Sequence, residues 1–330
     1  MTRADYDVIG IGNAIVDVLS HADDAFLAAN GIEKGGMTLI DSERAEALYS
    51  RMGRGTEISG GSAANTMAGV ASLGGRAAYV GKVRDDQLGR VFAHDIRAAG
   101  VRFATPPATS GAPTARCLIL VTPDAQRSMN TFLGACIDLG PEDVIESEIA
   151  AAKVTYLEGY LWDPPRAKEA FLKAAAIAHK AGRQVSLSLS DAFCVNRYRK
   201  EFLDLVTGHV DILFANEVEI LALFETSSFE AAAAAVRATG TLAVLTRGAA
   251  GASVVTRNGI ITVPAAPVAQ VVDTTGAGDL FAAGFLYGHT NGYSLEESAR
   301  IGATASAEII SHVGARPEVV LAGLVAPKLG

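Results

Sequence analysis

Two hydrophobic spacings alternate along this chain. Short apolar runs such as Val8-Ile9-Gly10-Ile11, Val154-Thr155-Tyr156-Leu157, Ile212-Leu213-Phe214-Ala215 and Leu242-Ala243-Val244-Leu245 have the length and composition of strands buried on both faces. Between and around them lie helical segments at 86–99, 165–181, 198–207, 218–224, 229–238 and 295–311, several of them stopped by a glycine. Strands are also expected at 77–83 and 185–189, and a hairpin at 253–256 and 260–263 around Asn258-Gly259. The alternation through the C-terminal two thirds predicts an α/β fold: a doubly wound, mostly parallel sheet flanked by helices.

The N-terminal third breaks the alternation. A strand at 35–40 and a hairpin at 115–121 and 127–132, turning at Pro123-Asp124, predict a small β lid formed by about 14–42 and 108–135. Short helices are expected at 22–30, at 41–52 behind the capping residue Asp41, and at 141–151. The stretch 58–65 reads as a glycine turn feeding a small-residue helix at 66–73, and 13–18 is given no strand. A last helix is expected at 318–324. No linker or low-complexity segment divides the chain, so 1–330 is expected to form one domain.

Composition narrows the function. The 330 residues are 49% hydrophobic, enough for a large core, and carry a net charge of −8. No basic block suggests nucleic acid or a membrane surface as partner, so an anionic ligand would have to be held by local N–H groups and a few cations. The three cysteines, Cys117, Cys136 and Cys194, are scattered and lack metal spacing, which favours inert, reduced thiols. The N-terminus lacks a signal-peptide core and no uncharged apolar run reaches membrane-spanning length, so a soluble, cytoplasmic protein is expected, as monomer or homodimer.

The stretch with most chemical content is Asp273-Thr274-Thr275-Gly276-Ala277-Gly278-Asp279, followed by an apolar helical segment. Small residues let a backbone approach a ligand closely, and a helix N-terminus offers free N–H groups and a positive dipole end. One reading is a turn with Asp279 as helix cap. The other is an anion hole built by Gly276, Ala277 and Gly278 for a transferring phosphoryl group, with Asp279 as the base that takes the acceptor's proton. Asn13 and Asp17 bracket apolar residues and are either turn residues or a pair that grips ligand hydroxyls. Neither Gly10-x-Gly12 nor Gly75 with Gly81-Lys82 completes a dinucleotide or P-loop motif.

Four separated motifs then agree. D-T-T-G-A-G-D at 273–279, S-G-G-S-A-A-N at 59–65, N-E-V-E at 216–219 and T-R-G-A-A-G at 246–251 resemble, in order, the signatures of the ribokinase-like (PfkB) carbohydrate and nucleoside kinases. The resemblance implies an ATP-dependent phosphotransferase with an alcohol acceptor. It implies Asp279 as base beside the hole at Gly276, Ala277 and Gly278. It implies Asn13, Asp17, Gly61, Ser62 and Asn65 around the acceptor. Asn216, Thr246, Gly248, Gly251 and Ala307 would lie along ATP, and Glu219 would hold Mg²⁺ through water. Asp273 is either a turn former or a ligand of the monovalent cation, K⁺, that some members bind.

Within the family, G-N-A-I-V-D at 12–17, Arg127 on the hairpin and L-S-D-A-F at 189–193 look more like the adenosine kinases. That likeness implies Arg127 at the phosphates and Phe193 at a nucleoside base; the apolar pair Ile15-Val16 between Asn13 and Asp17, with Phe193, points to a slot for a flat base. Ala14, Ser59 and Tyr160-Leu161 depart from the pattern. The expected reaction is transfer of the γ-phosphate to adenosine, giving AMP. A sugar kinase, or a nucleotide- or sugar-binding regulator without turnover, are the alternatives.

Overall fold

The computed structural model describes residues 4–124 and 126–325. Among these residues the strands, in chain order, are β1 (Tyr6–Ile11), β2 (Ile15–His21), β3 (Met37–Leu39), β4 (Gly55–Gly60), β5 (Ala77–Val80), β6 (Arg102–Phe103), β7 (Ala115–Val121), β8 (Arg127–Phe132), β9 (Ala152–Glu158), β10 (Gln184–Ser188), β11 (Ile212–Asn216), β12 (Leu242–Thr246), β13 (Ala252–Thr256) and β14 (Gly259–Val263). The larger sheet has nine strands in the order β14-β13-β12-β11-β10-β9-β1-β5-β6. It is parallel from β12 to β6, and the β13–β14 hairpin adds an antiparallel edge.

Period-two alternation explains the two layers that cover this sheet. Val8, Tyr79, Val154, Tyr156, Phe214 and Val244 face one core, shared with helices Ser62–Ser72, Ala277–Thr290 and Leu295–Ile309. Their neighbours Ile9, Ile11, Leu157, Leu213 and Leu245 face the other core, shared with helices Pro165–Lys180, Ala192–Gly208, Glu217–Phe224 and Phe229–Thr239. The first layer is close-packed through its glycines. A Cβ on Gly284 would lie 2.6 Å from the Cα of Gly302, so helices Ala277–Thr290 and Leu295–Ile309 touch backbone to backbone. Phe285 beside this contact is fully buried, and such a ring contributes about 1.5–3 kcal/mol by burial.

The smaller sheet runs β3-β8-β7-β2-β4. Two of its strands correct the sequence expectation. Residues 15–21 and 55–60 are strands, although the pattern at 13–18 predicts none and that at 58–65 predicts a turn. β4 also lies outside the 14–42 and 108–135 segments expected to form the lid. The reason is that Asp17, Ser20 and Glu57 hide the alternation. Val16 and Val18 point into the core with Leu118 and Leu120, while Ile15, Leu19, Ile119 and Met129 gather on the opposite face.

The helical boundaries also shift in places. Helix Ala192–Gly208 starts before the expected 198, because Asp191 caps it by accepting from Cys194 N at 2.7 Å, and Tyr198 marks a kink inside it. The 141–151 helix splits into a turn at Pro141–Asp143 and a helix at Glu146–Ala150. The expected 318–324 helix begins only at Ala322, after the β-branched pair Val319-Val320.

Candidate active site

The D-T-T-G-A-G-D stretch folds into a turn whose last glycines open helix Ala277–Thr290. Gly276 has φ +79°, a conformation that favours glycine, and no side chain caps the helix. The Ala277 N–H turns back to the Thr274 carbonyl at 3.2 Å, whereas the amides of Gly278 and Asp279 have no acceptor among the described residues. A Cβ on Gly278 would meet nothing within 4 Å. Two unpartnered amides at a positive dipole end therefore lie beside open space at Gly278, which suits an anion. Of the three residues expected to form the hole, Ala277 has its amide committed within the turn.

Asp279 projects from the first turn of this helix. It accepts from Ser62 Oγ at 2.5 Å and from Asn65 Nδ2 at 3.0 Å, both on helix Ser62–Ser72. Burial raises its pKa, opposed by these two hydrogen bonds and by the nearby Arg316 guanidinium. Sequence spacing of more than 200 residues thus closes to hydrogen-bond distance between two of the motifs.

Asn13 and Asp17 sit on the other side of the same glycine turn. Gly61 has φ +97°, and a Cβ there would lie 2.1 Å from the Asn13 carbonyl oxygen. A Cβ on Gly60 would lie 2.4 Å from the Asp17 carboxylate. The glycine pair is therefore a cradle for the Asn13 backbone and the Asp17 carboxylate. Burial pushes the Asp17 carboxyl up to about 6, against the pull of Arg316 and Arg127 and with the help of the Asp279 charge.

Glu158, at the end of β9, is a residue that sequence reasoning missed. Its Oε1 accepts from Asn13 Nδ2 at 2.7 Å and from Asn13 N at 3.3 Å, and its Oε2 accepts from Ala63 N at 2.8 Å. It therefore orients Asn13 and caps helix Ser62–Ser72 at once. Burial pushes its carboxyl up to about 7, opposed by these same donors. The signal was present: a carboxylate ending an otherwise buried strand run needs partners. Arg316 was missed as well, and nothing local in Gly314-Ala315-Arg316-Pro317 announces it.

The residues expected along ATP occupy strand ends and helix starts on the β11–β12 side. Asn216 and Glu219 form a reciprocal capping box: Glu219 N donates to Asn216 Oδ1 at 2.9 Å, and Asn216 N and Nδ2 donate to the Glu219 carboxylate at 2.9 and 2.6 Å. Burial pushes Glu219 up to about 7, and the Asp191 and Asp279 charges add to the rise. Thr246 ends β12, and exposed Gly248 follows in a short turn. Buried Gly251 closes the turn, with the Val263 carbonyl where a Cβ would sit. Ala307 is half-buried on helix Leu295–Ile309.

Three placements differ from the sequence expectation. Val16 is fully buried on the core face of β2, so it cannot line a slot with Ile15; adjacent strand residues point to opposite faces. The apolar face beside Asp17 is instead made by Ile15, Leu19, Ile119 and Met129. Phe193 is 68% exposed in the first turn of its helix and packs in no slot here. Arg127 pairs with Asp273, whose carboxylate also accepts from Gly314 N at 2.9 Å and from Thr275 N and Oγ at 3.0 and 2.7 Å. With a guanidinium and three further donors on it, the Asp273 carboxylate does not fit a monovalent cation.

The family model for pfkB family carbohydrate kinases matches residues 32–320. The chain belongs to this family. It is therefore a phosphotransferase with an alcohol acceptor and ATP as donor, on the ribokinase-like fold. The structure of adenosine kinase from Sinorhizobium meliloti is similar over 99% of this chain and 100% of that one, with 57% identity and a TM-score of 0.91. That of a probable sugar kinase protein from Rhizobium etli CFN 42 is similar over 98% and 99% of the two chains, at 54% identity and a TM-score of 0.92. Adenosine kinase of Saccharomyces cerevisiae is 27% identical over 93% of this chain and 95% of its own length. For this kinase, no helix among the described residues is long and apolar enough to cross a membrane.

Proposed function

We propose that the protein transfers the γ-phosphate of ATP to the 5′-hydroxyl of adenosine. The observation that carries the reading is the pair of unpartnered amides at Gly278 and Asp279, open to solvent beside a carboxylate that two hydrogen bonds hold in place. Phosphoryl transfer asks a protein mainly for positioning and charge neutralisation. The amides would receive the transferring phosphoryl group, and Asp279 would accept the proton of the attacking hydroxyl. Asp17 and Asn13 would hold the ribose hydroxyls, with Gly61, Ser62 and Asn65 shaping the floor. Arg127 would leave Asp273 for the phosphates when ATP enters.

The chain's own residues fit a divalent cation near the phosphates. Glu219 is a carboxylate whose proton affinity is raised by burial and, further, by the Asp191 and Asp279 charges, and that local negative charge suits a cation. Mg²⁺, when bound, would neutralise phosphate charge; Glu219, kept in place by Asn216, would hold it through water.

The polar floor serves a free sugar as well as a nucleoside, and the likeness to a probable sugar kinase keeps that reading alive. The difference lies beyond the ribose. Ile15, Leu19, Ile119 and Met129 offer apolar surface beside Asp17, which favours a purine over water. A side-by-side ATP assay with adenosine, ribose, fructose and a keto-deoxy sugar acid tests this. Adenosine should exceed each sugar by at least ~10-fold in kcat/KM, about 1.4 kcal/mol of transition-state binding. A sugar that beats every nucleoside would replace this acceptor, and a chain with no turnover on any acceptor would be a binding protein.

A further inference from the structure

The motifs account for the residues that would touch ligand, but not for a buried guanidinium set among them. Arg316 follows the last long helix, far from the acceptor turn in sequence. Its Nε and Nη2 donate to the Ser59 carbonyl at 3.0 and 2.7 Å, Nη2 also donates to Ser59 Oγ at 2.9 Å, and Nη1 donates to the Ala64 carbonyl at 2.8 Å. Ser59 in turn gives its N–H and Oγ–H to Asp95 at 2.8 and 2.6 Å. Among the described residues Arg316 makes no direct ion pair; its charge is met only by carbonyl oxygens and the serine hydroxyl.

The two residues it grips are the neighbours of the two that matter. Ser59 precedes Gly60, on which the Asp17 carboxylate rests. Ala64 precedes Asn65, which donates to Asp279. Ser59 is also the last core-facing residue of β4 in the smaller sheet, so one guanidinium joins that sheet, the glycine turn and the helix behind Asp279. The departure of Ser59 from the usual family pattern finds a reason here: its hydroxyl links Arg316 to Asp95.

We propose that Arg316 is a positioning residue for the phosphoryl transfer, clamping the Ser59–Ala64 turn and placing a cation with no ion pair of its own near Asp17 and Asp279 before ligand arrives. The groups facing these two carboxylates are few. Asp17 feels Arg316, Arg127 and Asp279, and lies beside Cys117. Asp279 feels Ser62, Asn65 and Arg316, and its charge reaches Tyr156, Glu158, Tyr160 and Glu219. Arg316 itself faces Asp95, Asp17, Asp279 and Tyr79. Arg127 is ion-paired with Asp273, whereas Arg316 has no direct ion pair among the described residues.

This inference rests on the proposed role of Asp279 but not on which acceptor is used, so its test takes whichever acceptor turns over fastest. Arg316→Gln and Arg316→Lys are compared by pH profile and by carboxylate NMR titration of Asp-labelled, ligand-free protein. Losing a nearby opposite charge raises a carboxylate pKa by about one unit or more. In Arg316→Gln the acid limb of kcat/KM and the Asp17 titration should both move up by about one pH unit. Lysine keeps charge but lacks the planar fork that reaches the Ser59 and Ala64 carbonyls together, so Arg316→Lys should leave both near wild type while raising the acceptor KM. If the Gln variant does not fold, a Lys variant with wild-type KM and kcat overturns the clamp. A folded Gln variant whose titration and acid limb are unmoved overturns the electrostatic role. The NMR titration needs no turnover, so it stands even if no acceptor is found.

Discussion

Gly278 and Gly276, two residues apart, should respond to the same substitution in opposite ways. A Cβ on Gly278 meets no protein atom and its backbone is helical, so Gly278→Ala adds a helix former in the first turn at no steric cost. That gains about 0.5–1 kcal/mol. With about 2.1 cal/mol/K per residue of unfolding entropy over 330 residues, or roughly 0.7 kcal/mol/K, the melting temperature should rise by about 1 °C. The methyl group, however, projects into the space above the free amides of Gly278 and Asp279. Displacing a phosphoryl group there by ~1 Å, or losing one amide contact, costs ~10²–10³-fold in kcat; Gly278→Val should abolish turnover. Gly276→Ala differs, because φ +79° and the backbone of Ala315 at 3.1 Å both oppose a side chain, so it should lose about 1–2 kcal/mol of stability. The assay pairs calorimetry with ATP turnover on the same preparations. Gly278→Ala with unchanged kcat, or with a lowered melting temperature, would refute the assignment of that open face to the phosphoryl group.

Three further outcomes follow from the same geometry. Asp279→Asn keeps both hydrogen-bonding positions but not the basicity, so it should fold and bind ligands yet lose ~10²–10⁴-fold in turnover; near-normal kcat would remove Asp279 from the role. Glu158 binds its proton more tightly folded than unfolded, so it stabilises the protonated state: ligand-free stability should fall as pH rises from about 4.5 to about 7, and Glu158→Gln should flatten that part of the profile, read as melting temperature against pH. Closure over the acceptor should slow hydrogen exchange at 35–40 and 115–132 when acceptor is added, and unchanged exchange there would count against a mobile lid.

The larger sheet and the four motifs were legible in the sequence because each rests on local information. Short apolar runs such as Ile212-Leu213-Phe214-Ala215, bounded by turn residues and alternating with helical segments, read as strands covered on both sides, and a glycine turn ahead of an apolar helix offers free N–H groups from local sequence alone. β2 and β4 were not legible, because Asp17, Ser20 and Glu57 interrupt the apolar alternation by which such strands are recognised. The same period of two decides that Val16 is core and Ile15 is not, which no reading of the pair as a unit could reveal. What only the tertiary structure decided are the contacts across long separations: Glu158 to Asn13 across 145 residues, Arg316 to Ser59 across 257, and Ser62 to Asp279 across 217. A buried carboxylate or guanidinium must find partners somewhere, since unpaired charge in a core is costly. The sequence states that need, but the partner is chosen by how the strands and helices dock, and that is a property of the packed chain alone.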